Sequence, residues 1–319
     1  MPLDETIDLG KAPEIIKELS EKLADADFLP GVCHSRLQGE ALPSHSAMEK
    51  IVGICRTLLF PGFYGDNGVT RSTLGFHVGI YADQLLRLLI EQITAAIIFD
   101  LECADNIPTE EISRKAEEKS LLFLKSLPTL RSLAWSDVMA TYNGDPAALS
   151  PGEVIFSYPG IRATCNHRIA HLLFQLEVPI LPRMISELAH SETGIDIHPG
   201  ATIGEAFMID HGTGVVIGAT AIIGKNVKIY QGVTLGAKSF IRDSANNPVK
   251  GHLRHPIIGD NVVIYANTTV LGRINIGHDA VIGGNLWITE DVPPGERLVQ
   301  TPPDNILRIS SSNQNRQKQ

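Results

Sequence analysis

Four side chains that can move protons lie close together in the sequence, between residues 196 and 211. Asp196 and His198 belong to the run DIHPG, and Asp210 and His211 belong to the run IDHGTG. A carboxylate beside an imidazole fixes the tautomer of the ring and raises its basicity, so Asp196 and His211 together are predicted to form a general base. Any one of these residues alone would more simply cap a turn of the backbone. Two Asp/His groups in one short region favour the catalytic interpretation.

A second polar segment follows at residues 237–255 and has the sequence AKSFIRDSANNPVKGHLRH. Long loops that leave a rigid scaffold often carry binding residues, although some only decorate the surface. The segment ends in Arg254 and His255, a cation and a titratable ring. We therefore expect the end of this segment to belong to the functional site.

Both polar segments interrupt a repeat with a period of six. An aliphatic residue recurs at every sixth position, with two extra residues near His211 and a longer insertion before Arg254. The aliphatic positions are Ile197, Ile203, Ile209, Ile217, Ile223, Ile229, Leu235, Ile258, Ile264, Val270, Ile276, Ile282 and Ile288. This period fits a short strand plus a tight corner, repeated three times per turn of a triangular solenoid with the aliphatic side chains stacked inside. A sandwich of short strands would not produce so strict a period.

The repeat therefore predicts a parallel β-helix from about residue 195 to residue 292, with Gly and Asn at corners that need left-handed backbone angles. Known hexapeptide solenoids wind left-handedly, against the usual handedness of parallel crossovers. Upstream, apolar residues at three- and four-residue spacing predict amphipathic helices at 12–23, 48–59, 81–99 and 109–127. Pro128 is expected to end the last of these, and 60–75 and 143–160, rich in Gly, Pro and Asn, are predicted to be loops.

The predicted fold class is α+β, an N-terminal all-α helical domain followed by a left-handed parallel β-helix. The helical domain is predicted to cover residues 1–192. The β-helix, which is the expected catalytic domain, covers 193–292 and carries a loop insertion at 237–256. Residues 293–319 form a C-terminal tail that ends in the polar sequence SSSNQNRQKQ and is expected to be disordered.

Composition excludes several classes of function. The net charge of −9 and the pI near 5.7 argue against a nucleic-acid partner, which needs a basic face. The start MPLDETIDLG lacks the features of a secretory signal, and no apolar run is long enough to span a membrane, so a cytoplasmic protein without a membrane partner is expected. The cysteines form no CxxC pair and are interpreted as reduced thiols rather than disulfides or zinc ligands. They are Cys33, Cys55, Cys103 and Cys165.

The runs DIHPGATIG, IDHGTGVVIG, QGVTLGAKS and RHPIIGDNVVI resemble serine O-acetyltransferase, the family that makes O-acetylserine from serine and acetyl-CoA ahead of cysteine synthesis. Upstream, the run DPA at 145–147 and the run PGIRATCNHRIAH at 159–171 resemble the family's segment that leads into its solenoid. The resemblance covers roughly residues 140 to 292, about half of the chain.

The resemblance implies that His211 is the general base that removes the serine hydroxyl proton, and that Asp196 orients it. The reaction it implies is direct acyl transfer in a ternary complex, where a positioned imidazole contributes about 10²–10⁴ in rate. Asp145 and Asp210 match the carboxylates that hold the amino group and hydroxyl end of serine. Arg254 and His255 match the pair that holds its carboxylate. Such a division suits a zwitterion.

The resemblance also implies that acetyl-CoA is the co-substrate and lies in the groove between solenoid coils of adjacent subunits. Contacts are expected near Gly236, Ala237 and Ala266, with Lys238 or Arg273 meeting the phosphates. A homotrimer is the minimum assembly expected, with the helical domain able to join two trimers into a hexamer. No metal is expected.

The chain departs from the family pattern at several positions. Gly218, Ala219 and Thr220 replace the common Gly-Glu-Thr, and Val281 stands where family members often carry a lysine. The tail also lacks the C-terminal isoleucine by which family members dock into O-acetylserine sulfhydrylase, so a stable complex with that partner is not expected.

Three alternatives remain open at the level of sequence. A related solenoid acetyltransferase would act on another hydroxyl, that of homoserine or a sugar. A purely structural solenoid would leave Asp196 and His211 without a role. A γ-type zinc carbonic anhydrase on the same solenoid would need three converging histidines, for which the candidates are His198, His211, His252, His255 and His278.

Overall fold

The structure is a computed structural model that describes residues 9–25, 42–65, 68–100, 108–239, 242–244, 246–247, 249 and 251–300. The predictions for Cys33, Cys103 and the tail beyond residue 300 fall outside these ranges. The chain divides into one compact unit up to Leu42 and another from Pro43 onward. In the first unit, a 3₁₀ turn at Leu9–Lys11 leads into α1 (Ala12–Ala24), none of whose residues is buried.

Six helices of the second unit pack around one apolar core. They are α2 (His45–Leu59), α3 (Leu74–Asp100), α4 (Thr109–Gly144), α5 (Pro151–Ser157), α6 (Pro159–Gln175) and α7 (Leu181–Thr193). Met48, Leu85 and Phe123 are fully buried in this core, at positions that the helical periodicity assigns to the apolar face. None of the helices in the described ranges combines the length and apolarity that crossing a membrane requires.

Two local predictions for this region are wrong. Pro128 does not end α4, which continues through it to Gly144. A proline inside a helix costs about 3 kcal/mol because it removes one hydrogen bond and crowds the preceding turn. Burial of Leu130 and Val138 on the later turns offsets that cost, at about 1.5–3 kcal/mol for each large apolar side chain.

The segment 143–160, predicted to be a loop, contains α5 and the start of α6. Ser150 caps α5, because its Oγ accepts a hydrogen bond from the Glu153 backbone N–H at 3.1 Å, and Pro151 occupies the first helical position. This serine-proline start is a helix signal that the high content of turn residues obscured.

Residues 196–298 form the left-handed parallel β-helix that the repeat predicts. Its strands are β1 (Asp196–Ile197), β2 (Thr202–Ile203), β3 (Met208–Asp210), β4 (Val216–Ile217), β5 (Ile222–Ile223), β6 (Lys228–Tyr230), β7 (Thr234–Gly236), β8 (Ile257–Ile258), β9 (Val263–Ile264), β10 (Thr269–Leu271), β11 (Asn275–Ile276), β12 (Val281–Ile282), β13 (Trp287–Ile288) and β14 (Arg297–Leu298). They form three parallel sheets. The first face has the order β1-β4-β7-β10-β13, the second β2-β5-β8-β11 and the third β3-β6-β9-β12-β14.

The interior of the solenoid is the predicted aliphatic ladder. Ile197 pairs with Ile217, which pairs with Leu235, and each is buried. The same stacking holds on the other two faces, so that every repeat position is buried except Ile288, which is partly exposed. Asn261 and Asn267 turn corners with φ of 59° and 60°, as expected for residues that tolerate the left-handed conformation.

The two predicted irregularities are confirmed, and both are extruded without disturbing the register. Asp196 pairs with Val216, whereas Val216 pairs with Thr234, so the first coil is two residues longer than the second. The extra residues fall between β3 and β4, around His211. Ile222 pairs with Ile257 across the loop insertion, and the ladder continues beyond it.

A buried ion pair fastens the helices to the first coil. The Arg168 guanidinium on α6 donates from Nε and Nη2 to both carboxylate oxygens of Asp137 on α4, at 2.5 and 2.7 Å. Arg168 also donates to the backbone carbonyl of Gly204, and Asp137 accepts from the Phe207 N–H, at 2.7 and 2.9 Å. The pair therefore connects two helices and the loop between β2 and β3.

Replacing Asp137 with Asn should destabilise the fold strongly, because it leaves the Arg168 charge buried without its partner. Loss of one member of a buried pair typically costs about 3–5 kcal/mol. Thermal and urea unfolding would measure this loss.

The matched control is Asp83→Asn. Asp83 forms a solvent-exposed pair with Arg87 on α3, and such pairs contribute about 0–1 kcal/mol. Equal losses in the two variants would contradict a fastening role for the Asp137–Arg168 pair.

Candidate active site

His211 occupies the two-residue insertion that follows β3. Its backbone adopts φ of 57°, an uncommon left-handed conformation for a residue with a side chain, and Gly212 follows with φ of 91°. This backbone projects the imidazole outward, where 72% of the side chain is exposed. Asp210, the last residue of β3, is buried, and its Oδ1 lies 3.8 Å from Nε2 of His211. The irregular turn thus presents an accessible base beside a fixed carboxylate.

Asp145 reaches the same place from the C-terminal end of α4. The Tyr158 hydroxyl donates to Asp145 Oδ2 at 2.6 Å, and the Ala147 backbone N–H donates to Oδ1 at 2.8 Å. These two hydrogen bonds, helped by the nearby charges of Lys228 and His211, lower the pKa of Asp145. The Tyr158 hydroxyl keeps its proton, since the bond to Asp145 raises its pKa to about 12. The carboxylate is therefore ionised and held in one orientation.

Together, Asp145, Tyr158, Asp210 and His211 form what we call the acid–base group. It presents two carboxylates and an imidazole to one region of the surface. Such a set can bind an ammonium group and accept a proton from a neighbouring hydroxyl.

Arg254 and His255 are held at the end of the loop insertion by Thr220. The Thr220 hydroxyl oxygen accepts hydrogen bonds from the backbone N–H groups of Arg254 and His255, at 3.0 and 3.2 Å. It also lies 2.9 Å from Nδ1 of His255, which accepts a further bond from the Thr220 N–H at 3.1 Å. One threonine thus fixes both the backbone and the ring at this position.

His255 is buried and neutral. Burial, followed by the positive charges of Arg254, His198 and Arg273, lowers its pKa to about 4. Because Nδ1 accepts from Thr220, the ring proton lies on Nε2, which can donate to a ligand. Position 218 must be glycine, since a Cβ there would lie 2.1 Å from Nε2 of His255.

Arg273 supports this arrangement from the next coil. Its Nη1 donates to the carbonyl oxygens of Thr220 and His255, at 2.6 and 2.9 Å. The resemblance suggested Arg273, as an alternative to Lys238, for contact with the phosphates of acetyl-CoA. In the structure its guanidinium is engaged in these bonds within the chain.

Asp196 lies beside Glu187 and His190 rather than beside His211. Its carboxylate points outward from β1 on the first face, and its charge and that of Arg254 both act on His198. No hydrogen bond or ion pair joins Asp196 to His211, both of which are in the described part of the chain. The predicted pairing of Asp196 with His211 is therefore not formed within one chain. We call Asp196, Thr220, Arg254 and His255 the loop-end group.

The residues predicted to contact acetyl-CoA also lie on two different faces of the solenoid. Ala266 lines an open groove of about 430 Å³ along the third face, together with His211 and Arg297. Gly236 lies on the first face, where it pairs with Leu271, and Ala237 and Lys238 follow it into the loop. The groove and these three residues thus belong to different faces of the solenoid.

One cluster in the described ranges brings three metal-ligating side chains within reach of each other. It comprises Glu187, His190 and Asp196, whose ligand atoms lie within 4.8 Å of one another. It contains a single histidine, so it differs from the three-histidine site that a carbonic anhydrase requires.

No sequence pattern pointed to Tyr158. Thr220 was named only as part of the run Gly218-Ala219-Thr220, which replaces the family's common Gly-Glu-Thr. Both act through hydrogen bonds to residues that are distant along the chain or on another element. No local pattern in the sequence signals such contacts.

Comparisons with known proteins agree on one family. A plasmid-encoded serine acetyltransferase of Synechococcus elongatus is 46% identical over 290 residues, which cover 90% of this chain and 89% of that protein. The serine acetyltransferase of Mycobacterium tuberculosis is 46% identical over 166 residues, covering 52% of this chain and 69% of its own length. Serine acetyltransferase isoform 3 of Entamoeba histolytica, solved in complex with cysteine, superposes with a TM-score of 0.67 at 36% identity. The superposition covers 82% of this chain and 84% of that one. No family model matches the chain.

The depressed pKa of His255 makes the stability of the protein depend on pH. An unfolded histidine titrates near 6.5 and folded His255 near 4, so the stabilisation by the neutral ring is complete above about pH 6.5 and is lost as the pH falls towards 4. The melting temperature of the unaltered protein should therefore fall more between pH 7.5 and pH 5 than that of His255→Gln. His278→Gln, at an exposed corner, is the matched control and should follow the unaltered protein. Parallel curves for all three proteins would contradict the assignment of a neutral His255.

Proposed function

The chain belongs to the serine acetyltransferase family, and from that membership we propose that it transfers the acetyl group of acetyl-CoA to the hydroxyl of L-serine, releasing O-acetylserine and CoA. The observation that carries the proposal is the acid–base group, in which an accessible imidazole lies beside two fixed carboxylates. A γ-type carbonic anhydrase would need a different set of ligands, and a structural solenoid would not need His211 in a strained, exposed conformation.

In the proposed mechanism, His211 accepts the hydroxyl proton of serine as the oxygen attacks the thioester carbonyl. The tetrahedral species collapses with cleavage of the carbon–sulfur bond, and the imidazolium returns its proton to the departing thiolate. A bare hydroxyl is a poor nucleophile, so the base is expected to contribute about 10²–10⁴ in rate. No group of the protein becomes acylated, since both substrates are held together.

The serine zwitterion matches the charges of the two groups. Asp145 and Asp210 supply carboxylates for its ammonium end, and the pKa of Asp145 is low enough to keep that residue charged. Arg254 and the Nε2–H of His255 supply donors for its carboxylate. Homoserine differs from serine by one methylene, a difference typically worth about 1–3 kcal/mol, so serine should be preferred but not exclusively used.

A complete site requires a second copy of the chain. The acid–base group and the loop-end group belong to different faces of one solenoid, so we infer that each site combines the acid–base group of one protomer with the loop-end group of its neighbour. In a homotrimer each protomer then contributes its acid–base group to one site and its loop-end group to another. Asp196 of one protomer would then orient His211 of the next. Val216 and Trp287, exposed apolar side chains on the first face, support burial of that face between protomers.

The same arrangement accounts for the divided cofactor residues. Acetyl-CoA would lie in the groove beside Ala266 of one protomer and would be covered by Gly236, Ala237 and Lys238 of the neighbour. The helices would extend away from this solenoid trimer and could join two trimers.

Mixing inactive variants tests the shared site. His211→Ala and Arg254→Ala should each be nearly inactive in serine acetylation, followed by thiol release from acetyl-CoA. Co-expressed and purified as mixed trimers, they should regain about a quarter of full activity, because one site in four then combines an intact His211 with an intact Arg254 from different chains.

The matched control mixes His211→Ala with Asp145→Ala, which belong to the same group. No chain then carries an intact acid–base group, so activity should stay at the level of the single variants. Recovery in both mixtures, or in neither, would contradict the proposed division of the site.

Thr220 is a positioning residue in this scheme. Thr220→Val keeps the shape of the side chain but removes the acceptor of the Arg254 and His255 N–H groups, bonds worth about 0.5–1.5 kcal/mol each. The KM for serine should rise about tenfold, while the KM for acetyl-CoA at saturating serine stays unchanged. Thr220→Ser, which keeps the hydroxyl, should restore the serine KM. An equal rise in both KM values would show that Thr220 acts only through general stability.

A further inference from the structure

Arg297 lies at the far end of the groove that starts at His211. Among the described side chains that line this groove, it is the one with a permanent charge. Its guanidinium makes no hydrogen bond or ion pair with any other residue in the described ranges, and it is exposed. A free guanidinium in a groove of a chain with a net charge of −9 is a local feature that favours an anionic ligand.

The distance from His211 to Arg297 follows from the order of the strands. His211 follows β3, and the third face continues through β6, β9 and β12 to β14, which carries Arg297. Four steps of about 4.8 Å between neighbouring strands give a separation of roughly 19 Å.

This separation matches the length of acetyl-CoA between its reacting carbon and its diphosphate. About fourteen bonds connect the thioester carbonyl carbon to the first phosphorus atom, and at about 1.2 Å per bond an extended chain spans roughly 16–17 Å. The remaining gap is within reach of an arginine side chain. A thioester placed at His211 therefore brings the diphosphate to the last coils of the solenoid.

The groove between the two ends suits the uncharged arm of the cofactor. Tyr230 and Tyr265 stack with their ring centroids 5.0 Å apart and form part of its floor. Gly283 and Gly284 further along leave the backbone open to close approach. An arm of methylene and amide groups can pack on the rings and hydrogen-bond to the exposed backbone.

We propose that Arg297 binds the diphosphate of acetyl-CoA, an inference that rests on the proposed function. Arg297 pairs in register with Val281, so the two positions point into the groove from adjacent strands. A cation at either position would meet the same phosphates. The Val281→Lys substitution therefore offers a way to move the charge by one strand.

The first experiment compares Arg297→Ala with the unaltered protein. The KM for acetyl-CoA should rise about tenfold, which corresponds to about 1.4 kcal/mol, while the KM for serine and the kcat remain unchanged. With acetyl-pantetheine, which lacks the diphosphate, the two proteins should have equal kcat/KM. Unchanged KM for acetyl-CoA, or an equal loss with acetyl-pantetheine, would overturn the proposal.

The double variant Arg297→Ala with Val281→Lys supplies the rescue. It should recover most of the lost affinity for acetyl-CoA, because the lysine lies on the neighbouring strand of the same face. Lys225→Ala removes an exposed cation of the solenoid that does not line the groove and should leave the KM unchanged. If the lysine fails to restore the KM for acetyl-CoA and Lys225→Ala also raises that KM, the effect comes from the net charge of the protein and the proposed phosphate site is wrong.

Calorimetric binding of CoA to the same variants separates this inference from the proposed function. If Arg297→Ala weakens CoA binding about tenfold, the phosphate site stands even when serine proves not to be the acceptor. If serine is acetylated but CoA binding is unchanged in Arg297→Ala, the inference fails and the proposed function stands.

Discussion

The stacking of one buried aliphatic side chain per strand is the constraint on which the rest of the structure depends. Ile197, Ile217 and Leu235 lie in successive coils of one ladder, and a shift of one residue would turn the row outward. Each coil must therefore keep its inward positions in step with its neighbours. Extra residues can be accommodated only at corners, where they are pushed out of the solenoid. The candidate active-site residues His211 and Arg254 lie at such points, each in a segment inserted between two strands.

The helices complete the acid–base group because they are fastened to the first coil. The Asp137–Arg168 pair holds α4 and α6 against the loop between β2 and β3. The end of α4 then lies beside β3 and β6, where Lys228 donates to the Gly144 carbonyl at 2.6 Å. Asp145 follows directly, so its position relative to His211 depends on a charged contact made two turns earlier in the helix. Compared with a well-packed apolar replacement, an intact buried pair adds little net stability, so the contribution of this pair is mainly to position α4 and α6.

Much of the fold could be predicted from the sequence, because the period of six reports side-chain burial directly. The ladder positions are visible as aliphatic residues at every sixth position. The two extra residues at His211 and the insertion before Arg254 are visible as interruptions of that repeat. The failures have a different origin. The local rule that a proline ends a helix fails at Pro128, because packing on both sides of it outweighs the cost. Tyr158 and Arg273 act through contacts between elements, and such contacts leave no periodic signal in the sequence. The two Asp/His groups in one short region also suggested that Asp196 and His211 pair, although Asp196 lies on the first face and His211 follows a strand of the third.

The separation of these two residues has a physical rationale. A base with 72% of its side chain exposed is screened by water, and its interaction with any carboxylate is weak. A contact made only when a second protomer covers the groove would exclude water and strengthen the interaction between imidazole and carboxylate. His255 is already neutral and buried in one chain, and Asp145 is already ionised. The groups proposed to bind the charges of serine are thus set within one chain, whereas the proposed proton-transfer pair would be completed by a second protomer.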